Sequence, residues 1–201
     1  MHDRKDAHLI VNDRPERVQA DISNEPSDAE LMRQARTASG KAAFATLYRR
    51  YLTPVYRYFY ARTGDVELAE DLTSQTFVAA LEGLSRYRER GAFAGWLFTI
   101  AARRLADHLR GRSSLPLDEA TDLPTADPLP EAATEHGEQA ARLIRALRTL
   151  SPGRAEAVSL HFIGGLSLKE TARVMKRSTV AVKSLIHRAL RDLRERLEHE
   201  R

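Results

Sequence analysis

Lys183, Ser184, His187 and Arg188 stand within six residues of one another in a chain of 201, at spacings that put them on one side of a helix. Cationic and hydroxyl side chains grouped in this way donate to phosphate oxygens and to base edges in a duplex groove. Rival chemistries lack their residues. The seven histidines are scattered, with no His, Asp or Glu cluster at metal-ligand spacing, no phosphate loop and no nucleophile motif. Cysteine is absent, which removes disulfides, Cys-based zinc sites and thiol catalysis. No enzyme, metal site or cofactor is expected.

The elements that must position these groups are a helix, a turn and a second, basic helix between Leu166 and Leu190, the pattern of a helix-turn-helix. Ser167 and Glu170 have capping-box spacing at the start of the first helix, Met175 to Arg177 form the turn, and Ser178 caps the second. Leu168, Ala172, Val174, Val182, Leu185, Ile186 and Leu190 fall mainly at helical spacing and supply a small core. Ahead of the motif, a helix is expected over Gln139 to Leu150, with a new one starting at Ser151-Pro152 and ending at Gly164-Gly165.

Aromatics are few in the chain as a whole and no segment alternates like a strand, so the fold class is all-α. Ser27 and Glu30 start a helix over Asp28 to Ala38. After Gly40, Phe44, Leu47, Tyr48, Tyr51, Val55, Tyr58 and Phe59 make one buried stripe, with a kink expected at Pro54. Gly64-Asp65 breaks the chain before a helix carried by Leu68, Leu72, Phe77, Ala80, Leu81 and Leu84. The basic loop from Ser85 to Gly91 then leads into a fourth helix from Phe93 to Arg110, whose Trp96 reads as core beside Phe93, Leu97 and Ile100.

Charge divides the chain. Residues 28–112 carry 14 Lys and Arg against 9 Asp and Glu, and residues 139–201 carry 14 against 6. Between Ser113 and Glu138 there are seven carboxylates, four prolines and no Lys or Arg. Two small basic helical domains, 28–112 and 139–201, are thus expected to be joined by a flexible acidic linker over 113–138, after a flexible extension over 1–27. Basic flanks imply a polyanionic partner. The longest mostly apolar stretch, Ala92 to Ala102, is too short to span a bilayer, and a cytoplasmic protein is expected.

Ala69-Glu-Asp-Leu-Thr-Ser-Gln-Thr-Phe77, Phe93-Ala-Gly-Trp-Leu-Phe-Thr-Ile-Ala101 with Asp107 and Arg110, Leu150-Ser-Pro, Gly165-Leu-Ser and Val182-Lys-Ser-Leu-Ile-His-Arg-Ala189 occur in order. Together they resemble bacterial sigma factors, specifically the extracytoplasmic-function (ECF) group of the sigma-70 family, which keeps regions 2 and 4. The resemblance implies partners: core RNA polymerase, promoter DNA and an anti-sigma factor. It assigns polymerase docking to the helix carrying Glu70, Asp71, Ser74 and Gln75, where Ser74 replaces the usual Gln and Gln75 the usual Glu. Recognition of the −10 element falls to Arg86, Tyr87, Arg88 and Arg90 in the loop and to Arg103, Arg104 and Arg110 on the next helix, whose basic surface Arg112 extends. In that assignment the arginines neutralise phosphates and Tyr87 stacks on an unpaired base. Relatives commonly have Asn at the Arg103 position.

The −35 element falls to Lys183, Ser184, His187 and Arg188, with Arg177, Ser178 and Thr179 toward phosphates at the helix start. Relatives often carry Gly where this chain has Lys176, and a base where it has Leu185. Arg191, Arg194 and Arg196 read as solvated helix charge. The other reading of the residues is a stand-alone helix-turn-helix regulator with an N-terminal sensor or dimerisation module, which would need neither the Asp71 helix nor the arginine loop. In a sigma factor the acidic linker would pass through the polymerase RNA path as a mimic of nucleic acid. Neutralising its seven carboxylates is then expected to change the ratio of abortive to full-length transcripts, and an unchanged ratio reduces the linker to a solubilising tether.

Overall fold

The computed structural model describes residues 26–37, 40–87, 92–113 and 135–199, and among these it contains eight helices and no strand. The expected N-terminal extension over 1–27 and the linker over 113–138 lie almost wholly outside the described residues. Four helices form the first module: α1 (Asp28–Ala35), α2 (Lys41–Thr63), α3 (Val66–Gly83) and α4 (Phe93–Ser113). Ser27 caps α1 by accepting the Glu30 N–H, and Asp65 caps α3 by accepting the Leu68 N–H at 3.0 Å. Asp28 accepts from both Arg50 and the Tyr51 hydroxyl, tying α1 to α2.

Helix α2 is the spine. It continues through Pro54, where the sequence suggested a kink, and packs against α1, α3 and α4 through Leu47, Tyr51, Val55, Tyr58 and Phe59. Two members of the expected apolar stripes are exposed, Tyr48 at 38% and Leu81 at 54%, and Phe44 and Leu68 are only partly buried. At the end of α2, Gly64 adopts φ +70°, which favours glycine, and a Cβ there would meet the Arg148 guanidinium at 2.4 Å.

The second module comprises α5 (Glu135–Arg148), α6 (Pro152–Val158) continued by a π turn over Ser159–Ile163, α7 (Leu168–Val174) and α8 (Thr179–His199). Helix α5 begins four residues earlier than expected, inside the segment read as linker. The Ser167/Glu170 capping box forms in both directions, and Pro152 opens α6 as its first helical residue. Ala157, Ala172, Val182 and Ile186 form the helix-turn-helix core, with Leu168, Leu185 and Leu190 packed against it. A second small core sets Leu147, Leu150 and Val158 against Ala189 and Leu193, and an Arg154–Asp192 ion pair fastens α6 to α8.

Two separately tethered cores were expected, whereas the structure packs one module on the other. Ile144, Leu160, Leu166 and Val174 join the core built around α2 and α4. Gly164 lies so close to Phe98 that a Cβ would meet the ring at 3.0 Å, and α7 lies along α4, with Glu170 over Gly95. At the centre is Glu156 of α6: one carboxylate oxygen accepts the Tyr58 hydroxyl at 2.8 Å, and the other pairs with Arg62. The Arg62 side chain is 9% and the Glu156 side chain 19% exposed, so the charges are largely removed from water.

Burial, reinforced by the charge of Glu156, holds the Tyr58 phenol well above its ordinary pKa, so it remains a neutral donor. Its contribution to stability is fully present below the unfolded phenol value of about 10 and is lost as pH rises through the folded value. Removing one partner from a buried pair strands the other charge, which costs about 3 kcal/mol. Glu156→Ala is therefore expected to lower unfolding free energy by about that amount and to enlarge the radius of gyration in small-angle scattering. A compact, equally stable variant would show that Glu156 does not hold the modules together.

Candidate nucleic-acid interface

The basic surface is built on α8. Ser178 fixes the start of this helix, its hydroxyl accepting the Ala181 N–H at 3.1 Å. Val182, Ile186, Ala189 and Leu193 turn one face into the module, and the opposite face is outward. Arg177, Ser178, Thr179, His187 and Arg188 are exposed, and Lys183 and Ser184 half-buried, so all seven residues assigned to duplex DNA lie on or beside one helix. Arg191 is exposed too, seven residues beyond Ser184, and shares that face.

The tight turn before α8 depends on Lys176, whose φ of +52° lies in the left-handed region. There the Lys176 N–H donates to the Arg173 carbonyl at 3.2 Å and the Arg177 N–H to the Ala172 carbonyl at 2.9 Å, closing α7. A side chain in that conformation costs roughly 1–2 kcal/mol, a penalty that glycine would not carry.

The second group, assigned to separated strands, is less unified. Arg86 is exposed at the end of a short 3-10 turn over Leu84–Arg86, while Arg88 and Arg90 lie outside the described residues. Tyr87, expected to offer its ring to a base, is instead buried, with its ring edge-on to Trp96 at 4.9 Å between centroids. The cause is packing: Trp96 and Phe93 provide an aromatic socket at the start of α4, and the ring gains more there than in water. Arg103 and Arg110 are on the exposed side of α4, both beside Asp107. Those surface pairs leave the guanidiniums accessible to phosphate. The side chain of Arg112 lies outside the described residues.

Arg104 faces elsewhere. It donates to the Gln75 side-chain oxygen at 3.3 Å, and the Gln75 amide donates to Asp71 at 2.8 Å, so a polar chain links α4 to the exposed side of α3. Glu70, Asp71 and Ser74 are exposed on that helix. The same face continues into apolar residues that sequence reasoning missed. Val78 and Leu81 are 55% and 54% exposed, and half-exposed Tyr48 packs edge-on against Phe77 beside them. Val78 lies four and seven residues beyond Ser74 and Asp71, the helical spacing that marks a common face. Among the described residues no cluster of three or more His, Asp or Glu is placed to hold a metal ion, and no helix is long and apolar enough to cross a membrane.

Helical bundle and helix-turn-helix both have counterparts. Residues 47–114 match the family profile described as Sigma-70 region 2, and residues 140–193 match that described as Sigma-70, region 4. The chain belongs to the sigma-70 family of transcription initiation factors, in its ECF group. It is similar to the ECF RNA polymerase sigma factor BldN of Streptomyces coelicolor, 40% identical over 163 residues that cover 79% of this chain and 62% of BldN. Similarity to the ECF RNA polymerase sigma factor SigE of Mycolicibacterium smegmatis is 30% over 179 residues, covering 87% of this chain and 69% of SigE. The chain thus spans roughly two thirds of the length of these two relatives. Among solved structures, CnrH in complex with the cytosolic domain of CnrY superposes with a TM-score of 0.69 at 25% identity, covering 88% of this chain and 100% of CnrH, so the match takes in both modules.

The turn supplies a test of the interface. Lys176→Gly is expected to leave stability equal or raise it by up to about 1 kcal/mol, and Lys176→Val to lower it by more than about 1 kcal/mol, since a β-branched residue is poorly tolerated at positive φ. Urea denaturation measures both. Equal midpoints for the two variants would mean that the turn is not held in the left-handed conformation.

Proposed function

We propose that this chain binds core RNA polymerase and directs promoter-specific transcription initiation. In this reading α8 and the turn before it read the −35 element as duplex, and the loop after α3 together with α4 recognises and opens the −10 element. The domain assignment follows: 28–112 for polymerase and the −10 element, 139–201 for the −35 element. The observation that carries the reading is the exposed α3 face, where Asp71 and Ser74 run into Val78 and Leu81. Solvent-facing large apolar residues rimmed by polar ones mark a protein-binding surface. A stand-alone regulator reading DNA through α8 has no use for that face in polymerase docking.

Asp71 is the anionic contact of this surface, held by Gln75, and Val78 and Leu81 are its apolar centre. Arg104, bound to Gln75, belongs with the same surface rather than with the −10 group. Tyr87, buried against Trp96, acts in this reading as a packing residue and not as a stacking platform for a base. The protein acts as a binding factor in the cytoplasm, without catalytic residues or cofactor. An anti-sigma factor is a further partner, supported by the similarity to CnrH, which was solved bound to the cytosolic domain of CnrY.

Val78→Asp and Leu81→Asp alter exposed positions and are expected to change stability by less than about 0.5 kcal/mol. Each should weaken binding of core polymerase at least tenfold, and Asp71→Ala should weaken it too, with binding to isolated promoter duplex unchanged. Arg188→Ala should do the reverse, losing about 1–3 kcal/mol at one base position while polymerase binding is kept. Competition binding against labelled protein and duplex anisotropy separate the two. If all four variants lose the same activity, the division of labour between α3 and α8 is wrong.

A further inference from the structure

Val180 is the most exposed large apolar residue among those described, at 77% exposure, and it belongs to none of the three hydrophobic cores. It occupies the second position of α8, two residues after the Ser178 cap whose hydrogen bond fixes the helix start. Neither helix formation nor packing accounts for it: valine is a poorer helix former than alanine, and nothing covers the side chain. Its β-branched side chain is stiff and is carried on a fixed first turn, so it presents methyl groups at a defined place.

That place is on the reading face. Val180, Ser184, His187 and Arg191 recur at intervals of four, three and four residues and form one outward stripe, opposite the buried Val182, Ile186, Ala189 and Leu193. Arg188 flanks the stripe, so the apolar tip is followed along the helix by cationic groups. Within the folded chain α8 packs against α5, α6 and α7, and Val180, His187 and Arg191 stay exposed when the modules are docked. Such a face suits a polyanion, and an apolar group ahead of its cations needs an apolar feature within that polyanion. Duplex DNA has one: the thymine 5-methyl in the major groove, where recognition helices enter with their N-terminal residues against the base edges.

We propose that Val180 is a specificity-determining residue that selects a thymine in the −35 duplex by contact with its 5-methyl group. The inference deepens the −35 reading of α8 and rests on it. It names the base that the N-terminal turn of α8 reads, whereas Arg188 and Lys183, further along, donate to other base edges.

The test uses the full chain assembled with core polymerase. A promoter library first defines the selected −35 sequence, and each thymine in it is then replaced singly by uracil, which removes the methyl and keeps every hydrogen-bonding group. At one position the replacement should weaken promoter binding by about fourfold, the worth of one buried methyl. With Val180→Ala, which should fold at least as well, that penalty should shrink while those at other positions persist unchanged. A selected −35 sequence without thymine, no uracil penalty, or penalties unchanged by Val180→Ala would each overturn the proposal. So would a Val180→Ala variant that loses polymerase or another protein while its promoter preference is intact, which would make the tip a protein contact. A library with no −35 preference, or one in which Arg188→Ala changes nothing, would instead overturn the −35 reading itself.

Discussion

Glu156 is the contact on which the arrangement of the whole molecule turns. Its carboxylate lies between the Tyr58 hydroxyl and the Arg62 guanidinium, on the helix that also carries the second module's small core. A carboxylate so nearly removed from water is stable only with both partners in place. The aliphatic packing around it, through Leu160, Leu166 and Val174, is non-directional. A charged group with two fixed partners allows one register. Hydrophobic burial supplies the attraction between the modules, and the Glu156 cluster specifies the pose.

What could be read in the sequence was what is decided locally. The Ser167/Glu170 box, the Ser178 cap and the Pro152 start are each settled within four residues, and each forms as expected. Heptad-like apolar spacing likewise placed α8 and its buried face, and with it the orientation of Lys183, Ser184, His187 and Arg188. The docking of the modules is decided by contacts between residues nearly a hundred positions apart, such as Tyr58 and Glu156, and no local pattern announces them. Composition pointed the other way, because the acidic, proline-rich segment between the modules suggested two independent cores.

Misread residues had more than one physical use for the same side chain. Tyr87 follows an arginine in a basic loop and looks like a stacking platform, yet Trp96 offers its ring a buried socket. Leu81 sits in an apolar series and looks like core, yet helical geometry carries it around to the side of Val78. Periodicity identifies a face, but it cannot say whether that face is covered by the same chain or by another. The α3 surface is such a case: its apolar centre differs from a core position only in what lies over it.

Docking of α7 along α4 also means that each module is the other's ligand. Two surfaces on one chain meet at an effective concentration on the order of millimolar, high enough for a contact that would be weak between free molecules to persist. Any external partner that needs the covered part of α4, around Gly95 and Phe98, competes with this internal one, and its apparent affinity falls in proportion to the fraction of molecules that are open. A partner that recognises both modules in their docked pose gains by the same equilibrium. The affinity of the chain for everything it binds is thus set partly by how strongly it binds itself.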